Sequence, residues 1–510
     1  MPVRTWSPLE IPSDVSDTEK YWYFGTQRRW FIVVRFVAFV GLVISLSRLG
    51  LGNPHISVML IVVLMMIGVS LTGLYSSTRP RALSQSDHEE RVLTWAPSRY
   101  PSVDIFLPTA GEPIEVLENT YRHVAALDYP GKITVYALDD AGRGQVADLA
   151  DRFGFRYLCR PDRGHLKKAG NLAFGYRCSD SEVISVLDAD FAVRPDFLLE
   201  LMPYLDDPAV GIAQSPQFFD THDNDEWVQR AAGADQELFY RWVQPSRDAL
   251  GAPICVGTCA LYRREALVRA GGFVQIAHSE DVHTGVAVMH AGYTVRYVPI
   301  ILSKGLCPEG LAAFVSQQYR WCAGSLSLMV SPHFRTMDLS WRQRLCFWSG
   351  FGYYLSTAIT AFTAFIPPIY LLWQNPSAIH VRNYLLLLPL FASYQLIVLM
   401  YRGRWDFGVL RIQMAQSFAH AAAIWDTWRG YTEEWVATGA AQRGPLGDRV
   451  ARMMAGWLAL VQVALWTGIA WDLSRHIVSI RQLYPLMAFA AFAVYLQVPL
   501  ILATLRRRPA

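Results

Sequence analysis

The sequence predicts an α-helical membrane protein that carries an α/β domain between two groups of membrane spans. Three observations carry this expectation. Of the 510 residues, 52% are hydrophobic and only 17% charged, a balance unlike that of soluble domains. Charge-poor stretches of membrane length stand near the N-terminus and recur after Arg344. Between them, short apolar runs alternate with polar helical patterns, the mark of an α/β sheet.

Residues 1–28 are polar and aromatic and read as a cytoplasmic arm lying along the membrane surface. They lack the early apolar core and small-residue cleavage site of a secretory leader. Trp30 to Leu49 has only Arg35 and Arg48 as charges, and Ile56 to Tyr75 has none. Each is about twenty residues, enough to cross a hydrocarbon core of about 30 Å, so 29–76 reads as a transmembrane hairpin. The α/β domain occupies 79–331. Val103 to Leu107, Ile133 to Leu138, Val183 to Leu187 and Val210 to Gln214 read as buried strands, with Ile114 to Ala126 and Gln145 to Phe153 as helices. A parallel sheet is predicted, and ligands of such sheets collect beyond the carboxyl ends of the strands.

Residues 332–401 read as an interface segment followed by two spans, Leu345 to Trp373, with a break at Pro367-Pro368, and Tyr384 to Tyr401. The polar 402–452 is expected to be a cytoplasmic interface loop with an amphipathic stretch near Ile412 to Trp428. Spans Met453 to Leu473 and Leu483 to Leu505, within 453–505, complete six crossings before the basic tail 506–510. The arginine-rich segments fall on one side, whereas the three opposite loops hold only Arg382, Arg475 and Arg481. The positive-inside rule therefore places the α/β domain on the cytoplasmic side of a cell (inner or plasma) membrane. There the seven cysteines, which include no CxxC pair, stay reduced. A net charge of +3 gives no nucleic-acid footprint.

The chemistry is expected directly after the strands. Thr109 and Glu112 follow the first, and Asp139-Asp140 the second. Such residues hold a base and ribose by hydrogen bonds, and turn or cap residues have the same look. Asp188-Ala189-Asp190 is a spaced carboxylate pair that can ligate a hard divalent cation bridging two phosphates. The basic turn His165 to Asn171 can reach the same phosphates or simply start a helix. In Ser279-Glu280-Asp281, a carboxylate of ordinary pKa can take the proton of a sugar hydroxyl attacking an anomeric carbon. An acidic pair there also complements a helix macrodipole. Gln317-Gln318-Tyr319-Arg320-Trp321 sets a guanidinium beside an indole, with an amide one turn earlier, which suits a phosphate leaving group and a stacked sugar. An Arg-Trp pair at a membrane boundary is equally an interfacial anchor.

Taken in order, Asp139-Asp140, Asp188-x-Asp190, Ser279-Glu280-Asp281 and Gln317-x-x-Arg320-Trp321 resemble the D, DxD, (T/S)ED, QxxRW signature of processive family-2 glycosyltransferases of the cellulose synthase type. Pro108-Thr109-x-x-Glu112-Pro113, Lys168-Ala169-Gly170-Asn171, Cys255-Val256-Gly257-Thr258 and Gly305-Leu306-x-Pro308-Glu309 extend the resemblance from about residue 30 to 440. It implies a GT-A-like glycosyltransferase fold for 79–331. It also implies inverting, processive transfer from a UDP-sugar, UDP-glucose first, into a β-glucan moved across the membrane. Thr109, Glu112, Asp139, Asp140 and Lys168 then match nucleotide contacts, and Asp188 and Asp190 the diphosphate and Mg²⁺ or Mn²⁺ carboxylates. Asp281, with Glu280 beside it, matches the catalytic base, and Gln317 and Arg320 the diphosphate contacts. Trp321, with Cys255 and Gly257, matches the acceptor site.

Trp435-Val436-Ala437-Thr438-Gly439, with Trp435 and Thr438 as its named residues, resembles a gating loop without its lysine. Trp348, Tyr353 and Tyr354 are candidates to line a channel, a role that bilayer-interface aromatics mimic. Cys322-Ala323-Gly324-Ser325 is closer to synthases of curdlan or mixed-linkage glucan than to cellulose synthases. The chain ends shortly after its last span, so no PilZ-type cyclic-di-GMP switch is expected in it. The implied partners are a UDP-sugar donor, a growing polysaccharide and lipid, with no nucleic acid; accessory export subunits and self-association stay open. Two alternatives stand beside this expectation: a synthase of GlcNAc, mannose or uronate chains, and a transporter or scaffold with an inactive α/β insert.

Overall fold

The computed structural model describes residues 11–24, 30–222, 225–308, 310–396, 406–431 and 445–505. Ten strands run β1 (Val103–Thr109), β2 (Ile133–Asp139), β3 (Arg156–Leu158), β4 (Val183–Val186), β5 (Phe191–Val193), β6 (Val210–Gln214), β7 (Phe218–Asp220), β8 (Ala260–Arg263), β9 (Thr294–Tyr297) and β10 (Ser303–Leu306) among the described residues. Seven form one sheet in the order β3-β2-β1-β4-β8-β6-β9, and three form a second, β5-β10-β7. Every residue of β1 is buried because alternate side chains enter two apolar layers. Ile105 and Leu107 point into one, and Phe106 into the other. A strand covered on both faces reads as a continuous apolar run, which is why the sequence reveals it.

The large sheet is mixed where a parallel one is predicted. β8 lies antiparallel to both β4 and β6. It is four residues long, too short for an alternation signal, and its pairing with β4 sets Ala260 opposite Val186, close to the carboxylates that follow β4. The small sheet begins directly after Asp190, since β5 starts at Phe191 and pairs with β10.

The arm docks on the α/β domain over its described part, residues 11–24. Buried Lys20 donates to Asp196 at 2.9 Å and to Glu200 at 2.5 Å. Glu200 also bonds buried His88. Lys304 of β10 reaches Glu19 at 2.8 Å, and Asn119 donates to the Pro12 carbonyl. These partners lie over a hundred positions away in sequence, so the arm reads as a polar surface segment until the fold assembles around it.

Five helices are long and apolar enough to cross a membrane among the described residues: Ile32–Gly52, Met59–Ser77, Trp341–Gln374, Leu446–Ser474 and Ile480–Thr504. Ile61 and Leu64 are 67% and 69% exposed, apolar surface that lipid would cover. The third span is indeed interrupted. One helix, Trp341–Thr363, ends just before another, Ile366–Gln374, whose prolines occupy its first turn, where no amide donor is needed. The expected crossing 384–401 shows an apolar helix, Val381–Ser393, and then passes outside the described residues.

The stretch expected to be amphipathic, the Gly408–Trp428 helix, is buried on several sides. It packs on the Leu311–Val330, Trp341–Thr363 and Trp227–Leu238 helices. Ala415, Ala419, Ala422 and Ala423 let these neighbours approach, so small side chains rather than an apolar stripe define its packing.

Substituting Lys20→Met leaves Asp196 and Glu200 without their shared cation. Removing one partner of a buried ion cluster costs about 3 kcal/mol or more. The purified protein is expected to melt at lower temperature and to become cleavable by protease within residues 11–24. An unchanged melt would show that this cluster does not hold the arm.

Candidate active site

The loops beyond β1, β2 and β4 open side by side, and the structure brings most of the expected residues there. Glu112 folds back over the end of β1. It accepts from the Thr109 hydroxyl, from Ala110 N at 2.8 Å and from Gly111 N at 3.1 Å. Asp139 braces the next loop, accepting from Ala141 N at 2.9 Å, Arg143 N at 2.6 Å and the Tyr157 hydroxyl at 3.1 Å. Asp140 is gripped by buried Arg160, whose Nε and Nη2 donate at 2.6 and 2.9 Å, and by Gly164 N at 3.1 Å. These contacts shape an open cleft of about 730 Å³ lined by Asp140, Ala141, Pro161, Asp162, Arg163, Gly164 and His165.

The His165–Asn171 turn does start a helix, Lys167–Arg177, but through a strained entry. Leu166 and Lys167 have φ of 53° and 50°, left-handed values that disfavour side chains. That entry sends Lys168 inward, where its ammonium lies 2.5 Å from Asp188 Oδ1, 3.1 Å from the Gly257 carbonyl and 3.9 Å from Glu280. Burial opposes the charge on Lys168, but Asp188 and Glu280 outweigh it and hold its pKa above the usual value. Asp188 is further fixed because its N–H donates to Thr258 Oγ1 at 2.8 Å.

Burial, Asp188 and Glu112 push Asp190 up to about 8. A second positive charge is therefore what this carboxylate lacks, and a divalent cation between Asp188 and Asp190 would supply it. Two carboxylates, with no cluster of three or more metal-ligating side chains among the described residues, fit a hard cation that completes its shell with phosphate oxygens and water.

Asp281 stands in the first turn of the Glu280–His290 helix, entered through Ser279 at φ 54°. Burial and the neighbouring Glu280 push Asp281 up to about 7, above the ordinary carboxylate value expected from sequence. Burial also raises Glu280, against the pull of Lys168. Two glycines make room for this helix. Gly257, at φ +75°, would carry a Cβ 2.6 Å from that of Asp281, and a Cβ on Gly324 would fall 1.8 Å from Ser279 Oγ.

Gly324 belongs to the Leu311–Val330 helix, which also carries Gln317, Arg320 and Trp321. Burial pulls Arg320 down to about 10, still charged at neutral pH, and no carboxylate pairs with it among the described residues. An unpaired, desolvated guanidinium is suited to an anionic ligand. Gln317 meets Gln236 at 3.5 Å. Cys255 is buried, its thiol 3.3 Å from the Tyr262 hydroxyl, and its Cβ packs where Gly285 has none; it supports the Glu280 helix from beneath. Trp435 and Thr438 lie outside the described residues.

Sequence reasoning missed Arg143, Arg160 and His278, and it quoted Thr258 only within a motif, without its bond to Asp188. Arg143 ties Thr109 to the Glu112 carbonyl. Burial and the charge of Arg320 hold His278 below its usual range, a neutral imidazole near that cation. The one local signal was the arginine-rich run Arg160-Pro161-Asp162-Arg163 directly after β3.

Gly257→Ala is expected to reduce catalytic turnover about a hundredfold, because displacing a catalytic group by about 1 Å has that effect. Gly271→Ala is the control. It has a similar φ of +87°, with nothing within 4 Å of a new Cβ, so it should retain turnover. Equal losses in both would assign the effect to backbone strain rather than to Asp281.

A family model described as glycosyl transferase family group 2 matches residues 183–401. A "Cellulose synthase catalytic subunit [UDP-forming]" of Pseudomonas fluorescens is 33% identical over 261 residues, 50% of this chain and 35% of that protein. A "Cellulose synthase 1 catalytic subunit [UDP-forming]" of Komagataeibacter xylinus is 33% identical over 279 residues, 54% of this chain and 36% of that protein. The matches thus span about a third of the length of these curated relatives. A mannosyltransferase of Pyrobaculum calidifontis, solved with GDP-mannose and Mn²⁺, superposes with a TM-score of 0.51 at 17% identity, covering 72% of this chain and 98% of that one; this likeness concerns the fold. Residues 183–401 thus match a family-2 glycosyltransferase model, about half of the chain is similar to cellulose synthase catalytic subunits, and the fold is that of a solved glycosyltransferase, here accompanied by helices long and apolar enough to cross a membrane.

Proposed function

We propose that the protein is an inverting, processive glycosyltransferase of the cell membrane that extends a β-glucan from UDP-glucose on the cytoplasmic side and passes it through its own helices. The observation that carries this reading is the junction at Gly324. There the helix that carries Asp281 packs at backbone distance on the helix that carries Arg320 and Trp321, which supports reading a raised carboxylate, a cation and an aromatic side chain as parts of one site. Relatives named as UDP-forming cellulose synthase subunits support UDP-glucose as the donor.

In this mechanism the acceptor sugar stacks on Trp321, and Asp281 takes the proton of its attacking hydroxyl. The hydroxyl oxygen bonds to the anomeric carbon as the bond to the UDP oxygen breaks on the opposite face. An α-linked donor therefore gives a β-linked product, and the electron pair leaves with UDP. Arg320 and Lys168 face the charge that develops on the diphosphate. Asp188 and Asp190 would hold Mg²⁺ or Mn²⁺, which when bound supplies further positive charge at that leaving group. The bound Mn²⁺ of the mannosyltransferase supports a divalent ion here. A base with pKa near 7 is well matched to neutral pH, since about half of it is deprotonated and it is basic enough to accept a proton.

Purified protein incubated with labelled UDP-glucose is expected to form a polymer degraded by β-glucanase. Incorporation from UDP-GlcNAc, a UDP-uronate or GDP-mannose, with none from UDP-glucose, would reject the glucan assignment. Asp281→Asn should lower kcat by about 10²–10⁴ while UDP binding persists; unchanged synthesis would remove Asp281 from the base role. Because Asp281 is raised to about 7, kcat/KM should fall as pH drops through 7 and the base becomes protonated. An acid limb near 4 would show instead an ordinary carboxylate.

A further inference from the structure

The backbone on either side of Asp190 is held from two directions. The Ala189 carbonyl accepts from the Thr120 hydroxyl at 2.8 Å, and the Asp190 carbonyl from Leu306 N at 3.3 Å. Thr120 lies on the Ile114–Ala125 helix, and Leu306 ends β10. Phe191, the next residue, is pressed onto β10 as well, since a Cβ on Gly305 would fall 2.4 Å from its ring. The aim of the Asp190 carboxylate is therefore set by how that helix and β10 are placed.

The N-terminal arm fastens to both of those elements. On the helix, Asn119 Nδ2 donates to the Pro12 carbonyl at 3.0 Å, and His123 Nε2 lies 2.5 Å from Asp14 Oδ1. On β10, the Lys304 ammonium reaches Glu19 at 2.8 Å and the Ser13 hydroxyl at 3.2 Å. Arg194, directly after β5, donates to the Val15 carbonyl at 2.6 Å and to Asp17 at 2.9 Å. The Ser13 hydroxyl in turn donates to Asp220 on β7 at 2.8 Å, so the grip extends across the small sheet.

Lys304 is the centre of this bracket. It is buried, its ammonium set between Glu19 of the arm and Asp220 at 3.6 Å, and its backbone pairs with Ala192, two residues after Asp190. Its partners among the described residues lie in the arm and on β7, so an effect on the cleft passes through β10. Docking of the arm could serve stability alone. What favours positioning is that the two elements bonded to the 189–190 backbone are the two to which the arm is anchored. Mg²⁺ takes oxygen ligands at about 2.0–2.1 Å and tolerates little departure from ideal geometry, so a small shift of β10 is felt at a metal carboxylate before it is felt elsewhere in the cleft.

We infer that the N-terminal arm is a bracket for the metal site and that Lys304 is a positioning residue, which by pinning β10 to the arm holds Asp190 where a divalent cation needs it. The inference rests on the reading of Asp190 as a metal ligand and adds a remote support to it. It is tested on the full-length protein in lipid nanodiscs with UDP bound, titrated with Mn²⁺ while electron paramagnetic resonance follows the free ion. UDP affinity is measured separately in EDTA. Lys304→Met and Glu19→Gln should each weaken Mn²⁺ binding about tenfold, an effect usual for groups that support metal ligands, with metal-free UDP affinity unchanged. Mn²⁺ affinity that stays at the wild-type value in Lys304→Met or in Glu19→Gln, while Asp190→Asn weakens it, overturns the bracket and leaves the metal site standing. Loss of metal-free UDP binding in both variants overturns the bracket as well, because the damage is then general. Wild type that takes up no Mn²⁺, or no more than Asp190→Asn does, overturns the metal reading and the bracket together.

Discussion

The contact on which the site depends is the one between Ser279 and Gly324. Any side chain at Gly324 would occupy the space of the Ser279 hydroxyl. The helix that begins with Glu280 therefore touches the Leu311 helix at backbone distance, and Asp281 cannot move relative to Arg320 and Trp321 without separating two helices. Gly257 closes the other side of Asp281 in the same way. Among the described residues, four of the five non-glycine positions with left-handed φ, Leu166, Lys167, Cys259 and Ser279, flank this centre. Strain of that kind persists only where the surroundings over-determine it, and here it aims the Lys168, Thr258 and Asp281 regions at one point.

Electrostatics follow from that crowding. Asp188, Asp190, Glu280 and Asp281 crowd together with Lys168 as their shared cation. Burial, together with one ammonium set among four carboxylates, raises Asp190 and Asp281 while Lys168 stays charged. On the neighbouring Leu311 helix the imbalance reverses: no carboxylate pairs with Arg320 among the described residues, and its charge helps hold His278 below its usual range. The cleft thus has an acidic wall and a cationic wall. That polarity suits a ligand that brings both anionic phosphates and a proton to be removed.

What the sequence made legible was what local pattern encodes. Continuous apolar runs marked β1, β2, β4 and β6, charge-free stretches marked the spans, and Pro367-Pro368 marked the break in the third. Carboxylates after the strands marked the cleft. What it hid were pairings across distance and exceptions to polarity. Lys20 reads as a surface residue, yet it is buried between Asp196 and Glu200. Asp140 reads as a ligand contact, yet both its oxygens are already held by Arg160, which recasts its part as shaping the cleft. The Gly408 helix lacks a clean apolar stripe because it is covered on several sides, and periodicity reports only helices with one wet face.

The same buried helix joins the catalytic centre to the membrane. Asp426, near its end, accepts from the Tyr319 hydroxyl at 2.9 Å on the Leu311 helix and from Arg449 at 3.0 Å on the Pro445–Ser474 helix. Tyr319 neighbours Arg320, so a buried carboxylate ties the Leu311 helix, the Gly408 helix and a helix long and apolar enough to cross a membrane into one unit. Sliding any of the three past the others would strand Asp426 in apolar surroundings without its donors, a costly state for a buried charge. These helices therefore form a fixed frame around Trp321. On the proposed function, a product advances by moving through that frame, one residue past a stationary platform.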